Sequence, residues 1–139
     1  MNIDQHTITI LTDGRGTQNI TADIINALSK RSINHGLCHL FLQHTSASLI
    51  LCENYDPQVR VDLENFLLRL VPDDNPMFEH IIEGQDDMPA HVRTILTQTS
   101  LSIPIQSGTL ALGTWQGIYL YEHRYQPQTR TVCMTWLGH

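Results

Sequence analysis

"LSIPIQSGTLALGTWQGIYLYEH", Leu101–His123, decides the fold class. "LSIPI" and "TLAL" flank "QSG", which reads as a hairpin. "GTWQG" then separates "TLAL" from "IYLYEH", and "RTVCMTWL" (Arg130–Leu137) supplies one more strand. Strands therefore follow one another with no helix between them. A parallel sheet would need a crossover helix at each step, so the pattern predicts α+β.

Working outward, Ile3–Leu11 alternates Ile8 and Ile10 with threonines and reads as a strand. "DGRG" (Asp13–Gly16) reads as a turn. Ile20, Ile24, Ile25 and Leu28 recur at helical spacing over Asn19–Arg31, which "NHG" (Asn34–Gly36) stops. Leu37–His44 and Ser48–Glu53 read as strands. Asp56 and Pro57 start a second helix as N-cap and first residue. Its stripe Leu63, Phe66, Leu67 and Leu70 is expected to be buried, and Pro72 ends it. "PDDNP" (Pro72–Pro76) opens an irregular stretch to Gln85, and a short helix runs from "DDMP" to about Thr99. The expectation is a single compact domain over residues 1–139, with one mixed, mostly antiparallel sheet and about three helices packed on one face.

A chain of 139 residues fits one domain. Its hydrophobic content, 41%, is that of a globular protein. Net charge is -6, with a single lysine, Lys30, and seven scattered arginines. Phosphate backbones are bound mainly through Lys and Arg, so no nucleic acid and no anionic membrane is expected as a partner. No segment has the ~20 apolar residues of a membrane span, and "MNIDQHTITI" lacks the layout of a signal peptide. Cys38, Cys52 and Cys133 are odd in number and show no CxxC spacing, which predicts free thiols in a reducing, cytoplasmic setting. Cys52, flanked by apolar residues and Glu53, is expected to be a buried thiol and not a nucleophile.

Eight histidines are dispersed along the chain. His44 ends one strand, just before "TSAS". His123 ends another, just before Arg124. His91 opens the helix at "DDMPAH", where the helix dipole favours a neutral ring. Asp86 and Asp87 are expected to cap that turn. Three neutral imidazoles with an open position describe a catalytic-type zinc site, although a lone histidine at a strand end is more often a satisfied polar group. His6, His80 and His139 receive that plain reading. His35 and His39 sit in a turn and a strand, so helical spacing does not pair them.

Thr45 and Ser46 follow His44 in a hydroxyl-rich loop able to hold an oxyanion. Trp115 offers a face for stacking, and Gln116 a donor and an acceptor, for a flat heterocycle. Arg124 and Arg93 are the candidate anion clamps. Glu83, Asp86 and Asp87 are candidate general bases.

"HTSA" (His44–Ala47), "EN.DP.V" (Glu53–Val59), "DDMPAH" (Asp86–His91), "LALGTWQGI" (Leu110–Ile118) and "EHR" (Glu122–Arg124) occur in this order. This series resembles the YjbQ family, the secondary thiamine-phosphate synthase enzymes, over nearly the whole chain. The resemblance implies a compact α+β fold, a homotrimer, and a pocket holding His44, His91 and His123, on zinc. It also implies a small-molecule substrate. The associated reaction joins an aminopyrimidine diphosphate to a thiazole phosphate with loss of pyrophosphate, at low rate. Magnesium is the alternative cation for that diphosphate chemistry, but three imidazoles suit zinc better. Two other activities would use the same histidines: a zinc-dependent hydrolase and a non-catalytic metal or metabolite binder.

Overall fold

The computed structural model describes residues 1–139. Along the chain run β1 (Asn2–Leu11), β2 (Gly16–Asn19), α1 (Thr21–Ser29), β3 (Gly36–Leu42), β4 (Ala47–Glu53), α2 (Pro57–Leu70), α3 (Asp87–Leu96), β5 (Ser100–Gln106), β6 (Thr109–Leu110), β7 (Gln116–Glu122) and β8 (Thr129–Gly138). The α+β class, the three helices and the β5–β6 hairpin are as expected.

The expected single sheet is instead two. One has the order β1-β8-β3-β5-β6, the other β2-β7-β4, and every pairing is antiparallel. Where the sequence predicts the end of a turn and the start of a helix, the chain forms β2. Its sequence, "GTQN", is four residues long and has no apolar alternation, so only its pairing with β7 makes it a strand. One core cluster draws on both sheets and α1. It includes Trp136, Met134 and Leu40 from the larger sheet, Leu49, Ile118 and Leu120 from the smaller, and Ile24 and Leu28 from α1. Period-two alternation on β8 puts Arg130, Val132, Met134 and Trp136 inward.

α2 departs most from expectation. None of its residues is buried, and Phe66 and Leu70 are 64% and 56% exposed. Its inward face is the polar one. Arg60 Nη1 donates to the Glu53 carbonyl at 2.6 Å, and Glu64 accepts from Arg93 Nη1 and from the Tyr121 hydroxyl, each at 2.8 Å. Those anchors rotate the apolar stripe away from the core. The buried thiol is Cys38, not Cys52, and burial pushes it up to about 12. No helix is long and apolar enough to cross a membrane.

Candidate functional site

The first turns of α3, the loop before it and the end of β7 meet around one carboxylate. Asp87, 1% exposed, is the hub. Its Oδ2 faces His80 Nε2 at 2.6 Å and His91 Nε2 at 3.1 Å. Its Oδ1 accepts from Arg124 Nη1 at 2.8 Å. Asp87 and His91 are four residues apart on a helix, which places both on one face. His80 arrives from the irregular loop.

The remaining bonds fix the orientation of this group. Arg124 Nε donates to Asp86 Oδ2 at 2.9 Å, and its Nη2 to the Glu83 carbonyl at 2.7 Å. The Tyr125 N–H also donates to Asp86 Oδ2, at 2.8 Å. Asp86 therefore does not cap α3 through its side chain, contrary to expectation; the guanidinium is the stronger partner. Gly84 sits at φ +109, a left-handed conformation suited to glycine. A Cβ there would come within 3.0 Å of Asp86 Oδ1, so glycine lets the loop close over the pair.

The His91 ring carries the most information. Its Nδ1 lies 2.8 Å from the Thr45 carbonyl oxygen, which can only accept. Assigned from its partners, Nδ1 is the N–H. Nε2 then faces a carboxylate oxygen. It must either carry a second proton, making the ring a cation, or direct its lone pair at a bound cation. Burial pushes the Asp87 carboxyl up, but the His80 hydrogen bond and the His91 and Arg124 charges outweigh it and hold it below its ordinary 3.8. An ionised carboxylate flanked by two imidazole Nε2 atoms is a metal-compatible donor set. These three ligand atoms lie within 4.8 Å of one another, and no other group of three or more His, Cys, Asp or Glu side chains in the chain does so.

His123 lies outside that set and is fully buried. Thr97 Oγ1 donates to the Arg93 carbonyl at 2.7 Å and so accepts from Ser48 Oγ. Ser48 in turn accepts from His123 Nε2 at 2.6 Å. That chain assigns the proton to Nε2 and leaves Nδ1 a buried lone pair with no hydrogen-bond partner. Burial, with the Arg93, Arg15 and Arg130 charges, lowers the His123 pKa from 6.5 to about 3. Between those values the unfolded chain binds a proton that the folded chain does not. The stability from the neutral ring is therefore whole above pH 6.5 and is lost as pH falls from 6.5 to about 3, by up to about 1.4 kcal/mol per pH unit. Urea midpoints at pH 7.5, 5.5 and 4.5 should fall more steeply for the wild type than for His123→Asn. Parallel slopes would refute the assignment.

His44 is also engaged elsewhere. Its Nε2 accepts from the Thr131 N–H at 2.8 Å, and Arg130 Nη1 approaches its Nδ1 at 3.3 Å. Burial, then the Arg130 charge, lowers its pKa. Ser46 is buried and accepts from Arg130 Nη2 at 2.9 Å; Thr45 is exposed and contributes its carbonyl to His91.

Within one chain, then, the structure does not join His44, His91 and His123 into one ligand set. It places them on three neighbouring networks linked through residues 44–48 and 123–124. His80, given the plain reading, is the partner that sequence reasoning missed. The available signal was the Asp87/His91 helical pair with a further histidine seven residues upstream.

The remaining candidates are largely committed. Arg124 has all three nitrogens in protein hydrogen bonds, so it is not a free anion clamp. Arg93 is fully buried and bidentate to Glu64. The Gln116 side-chain oxygen closes its own turn by accepting from the Gly113 N–H at 2.8 Å. Trp115 is 57% exposed and meets the Tyr55 ring edge-on at 5.3 Å.

The family model described as "UPF0047 protein YjbQ-like" matches residues 6–139. UPF0047 protein YjbQ of Escherichia coli O157:H7 is 48% identical over 135 residues, covering 96% of this chain and 97% of that one. UPF0047 protein sll1880 of Synechocystis is 48% identical over 128 residues, 92% and 87% of the two chains. Among solved structures, TT1486 from Thermus thermophilus superimposes with a TM-score of 0.85 at 34% identity, covering 95% of this chain and 99% of that one. APE1520 from Aeropyrum pernix gives 0.89 at 28% identity, covering 98% and 99%. With its model spanning all but the first five residues, the chain belongs to the YjbQ-like UPF0047 family.

Proposed function

We propose that this chain is a metal-dependent hydrolase of a small molecule, with one divalent cation, zinc, held by His80, Asp87 and His91. The observation that carries this reading is the convergence on one carboxylate oxygen: His80 Nε2 and His91 Nε2 both face Asp87 Oδ2, and with Nδ1 donating to the Thr45 carbonyl, Nε2 is the His91 nitrogen that deprotonation frees to ligate. Two imidazoles and one carboxylate leave a coordination position open, as in catalytic zinc sites. Magnesium fits the set poorly, because it prefers oxygen donors. A cation held there would supply Lewis-acid polarisation of a substrate oxygen and would lower the pKa of a water toward neutral.

The protein's own groups do the rest. Arg124 fixes the Asp87 carboxylate through Oδ1, and the Thr45 carbonyl fixes the His91 tautomer. Asp86 is held by Arg124 and Tyr125. Glu83, 60% exposed and with its nearest cation, Arg124, at 4.0 Å, is the carboxylate free to accept a proton. A His44/His91/His123 centre would require His44 Nε2 to leave the Thr131 N–H, whereas the His80 set requires His80 Nε2 to give up its proton and its 2.6 Å bond to Asp87 Oδ2, an exchange within the ligand set itself.

The pyrophosphate-releasing transfer is the second reading. The exposed Trp115–Tyr55 platform favours it, since a flat ring could stack there. It lacks a free cationic clamp for the diphosphate, with Arg93 and Arg124 engaged.

The proposal extends to assembly and location. The α2 stripe and the outer row Ile3, Leu37 and Leu137 on the larger sheet are two different uncovered apolar surfaces. If each covers the other on the next copy, the contact is heterologous, and such a contact forms a homotrimer when its rotation closes after three copies. Three unpaired cysteines fit a reducing cytoplasm.

Native mass spectrometry of untagged protein tests both assembly and cation. Three chains with one zinc per chain are expected, the zinc lost in His80→Ala. Metal-free wild type after zinc loading would overturn the cation reading, and a monomer mass the assembly.

A further inference from the structure

We propose that the cavity beside His80 binds the substrate of this site through a protonated amine or amidine borne on a small apolar ring; the proposal rests on the hydrolase reading above. The cavity is about 260 Å³ and lies between the Asp73–Gln85 loop and the start of α3. His80, whose Nε2 faces Asp87, is in its wall, so a ligand there abuts the cation ligands. Two features of the wall define the ligand class.

The first is charge. Asp73 and Asp74 line the cavity, and no Lys or Arg does. Asp73 is bidentate to Arg15, with bonds of 2.7 and 2.8 Å, and accepts from the Tyr125 hydroxyl. It is neutralised in place. The Asp74 carboxylate is exposed and has no ion pair within the chain, so it is the anion offered to a ligand. Gln85 adds an amide oxygen as a second acceptor. In a chain of net charge -6, with no Lys or Arg in the wall, Asp74 repels an anionic head group. The only positive charge beside the cavity would be the cation proposed at His80, so the preference for a cationic head belongs to the Asp74 rim and is read in the metal-free protein.

The second is shape and polarity. Phe78, Ile81 and Met88, with Pro76 and Pro89, make up most of the rest of the wall. Such a surface takes a compact hydrocarbon body and excludes water from around it. An acceptor rim on an apolar wall selects a cationic or N–H-rich head on a ring, and selects against phosphate and carboxylate compounds of the same size.

Benzamidine, benzylamine and benzoate share one ring and differ in head group, so they are the probes. Each is titrated calorimetrically into wild-type protein, Asp74→Asn and Phe78→Ala, both metal-free and zinc-loaded; because a carboxylate can ligate zinc directly, the metal-free titrations read the head-group preference of the wall. Benzamidine and benzylamine should bind and benzoate should not. Asp74→Asn should weaken benzamidine about threefold to fivefold, the upper range for a pair with an exposed carboxylate, and Phe78→Ala should weaken both amines. In the metal-free protein, equal or tighter binding of benzoate, no binding of either amine, or unchanged affinity in Asp74→Asn would overturn the proposal. The zinc-loaded samples report zinc by elemental analysis. One zinc per chain without amine binding overturns this inference alone. Amine binding that depends on Asp74 without zinc supports the cavity and overturns the cation reading.

Discussion

Glu122→Ala is expected to lose about 3–5 kcal/mol of stability, the range for removing one partner of a buried ion pair. The Glu122 side chain is 1% exposed and its Arg130 partner 5%. One carboxylate accepts from Arg130 Nε at 2.8 Å, from Arg130 Nη2, from Thr12 Oγ1 at 2.8 Å, and from the His123 and Arg124 N–H groups at 3.1 and 3.2 Å. Removing it leaves a buried guanidinium without its counter-charge, and unpaired donors beside it. Arg130 also holds the Ser46 carbonyl and hydroxyl and touches His44, so the loop that gives the Thr45 carbonyl to His91 should loosen too. In urea unfolding the midpoint should drop with an unchanged slope. The double variant Glu122→Leu/Arg130→Met should recover much of the loss, because an apolar pair of similar volume carries no buried charge. A loss under about 1 kcal/mol for Glu122→Ala, the level of an exposed pair, would show that the carboxylate is solvated in solution.

The same residue shows which features the sequence could reveal. "EHR" at the end of a strand was legible as a place where polar side chains leave the sheet, and His123 and Arg124 drew attention there. Their partners were not legible. Arg124 lies 37 residues from the Asp87 it binds, and Arg130 lies 84 from Ser46. Nothing in local spacing encodes such pairs, so Arg124 read as a free clamp. Elements with strong periodicity were readable: β1, β8, α1 and the β5–β6 hairpin follow their patterns. β2 was not, because its four residues owe their strand to β7.

α2 was readable as a helix but not as to which side faces in. An apolar stripe at helical spacing normally marks the buried face. Here Arg60 and Glu64 bind the body of the protein, and the stripe is turned outward. His80 was missed for a similar reason: it sits in an irregular loop, where neither period applies. Its role follows only from the return of that loop to α3, pinned by Arg124 on the Glu83 carbonyl.

Asp87→Asn should abolish stoichiometric zinc binding, with affinity down by at least about a hundredfold, the upper end of what losing a mere orienting group costs, while the fold persists. The amide has the size of the carboxylate and can keep its oxygen toward Arg124 Nη1, now 2.8 Å from Oδ1. Its NH₂ then takes the place of Oδ2, and a donor group cannot ligate a cation. Arg124→Lys leaves all three ligand atoms in place but loses the forked hold on Asp86 and Asp87. It should cost about 10–100-fold, the range for a group that orients a ligand. The order of affinities should therefore be wild type, then Arg124→Lys, then Asp87→Asn, read by competition with a zinc chelator. Acid stability provides a separate check on Asp87. Its folded pKa lies below the ordinary 3.8, so its contribution is present above pH 3.8 and is lost as pH falls below it. Asp87→Asn should flatten that acid limb, whereas His80→Ala should only reduce it, since His91 and Arg124 still hold the carboxylate ionised. Zinc bound one per chain with wild-type affinity in Asp87→Asn would place the cation elsewhere, and the buried His123 Nδ1 lone pair would then be the next donor to examine.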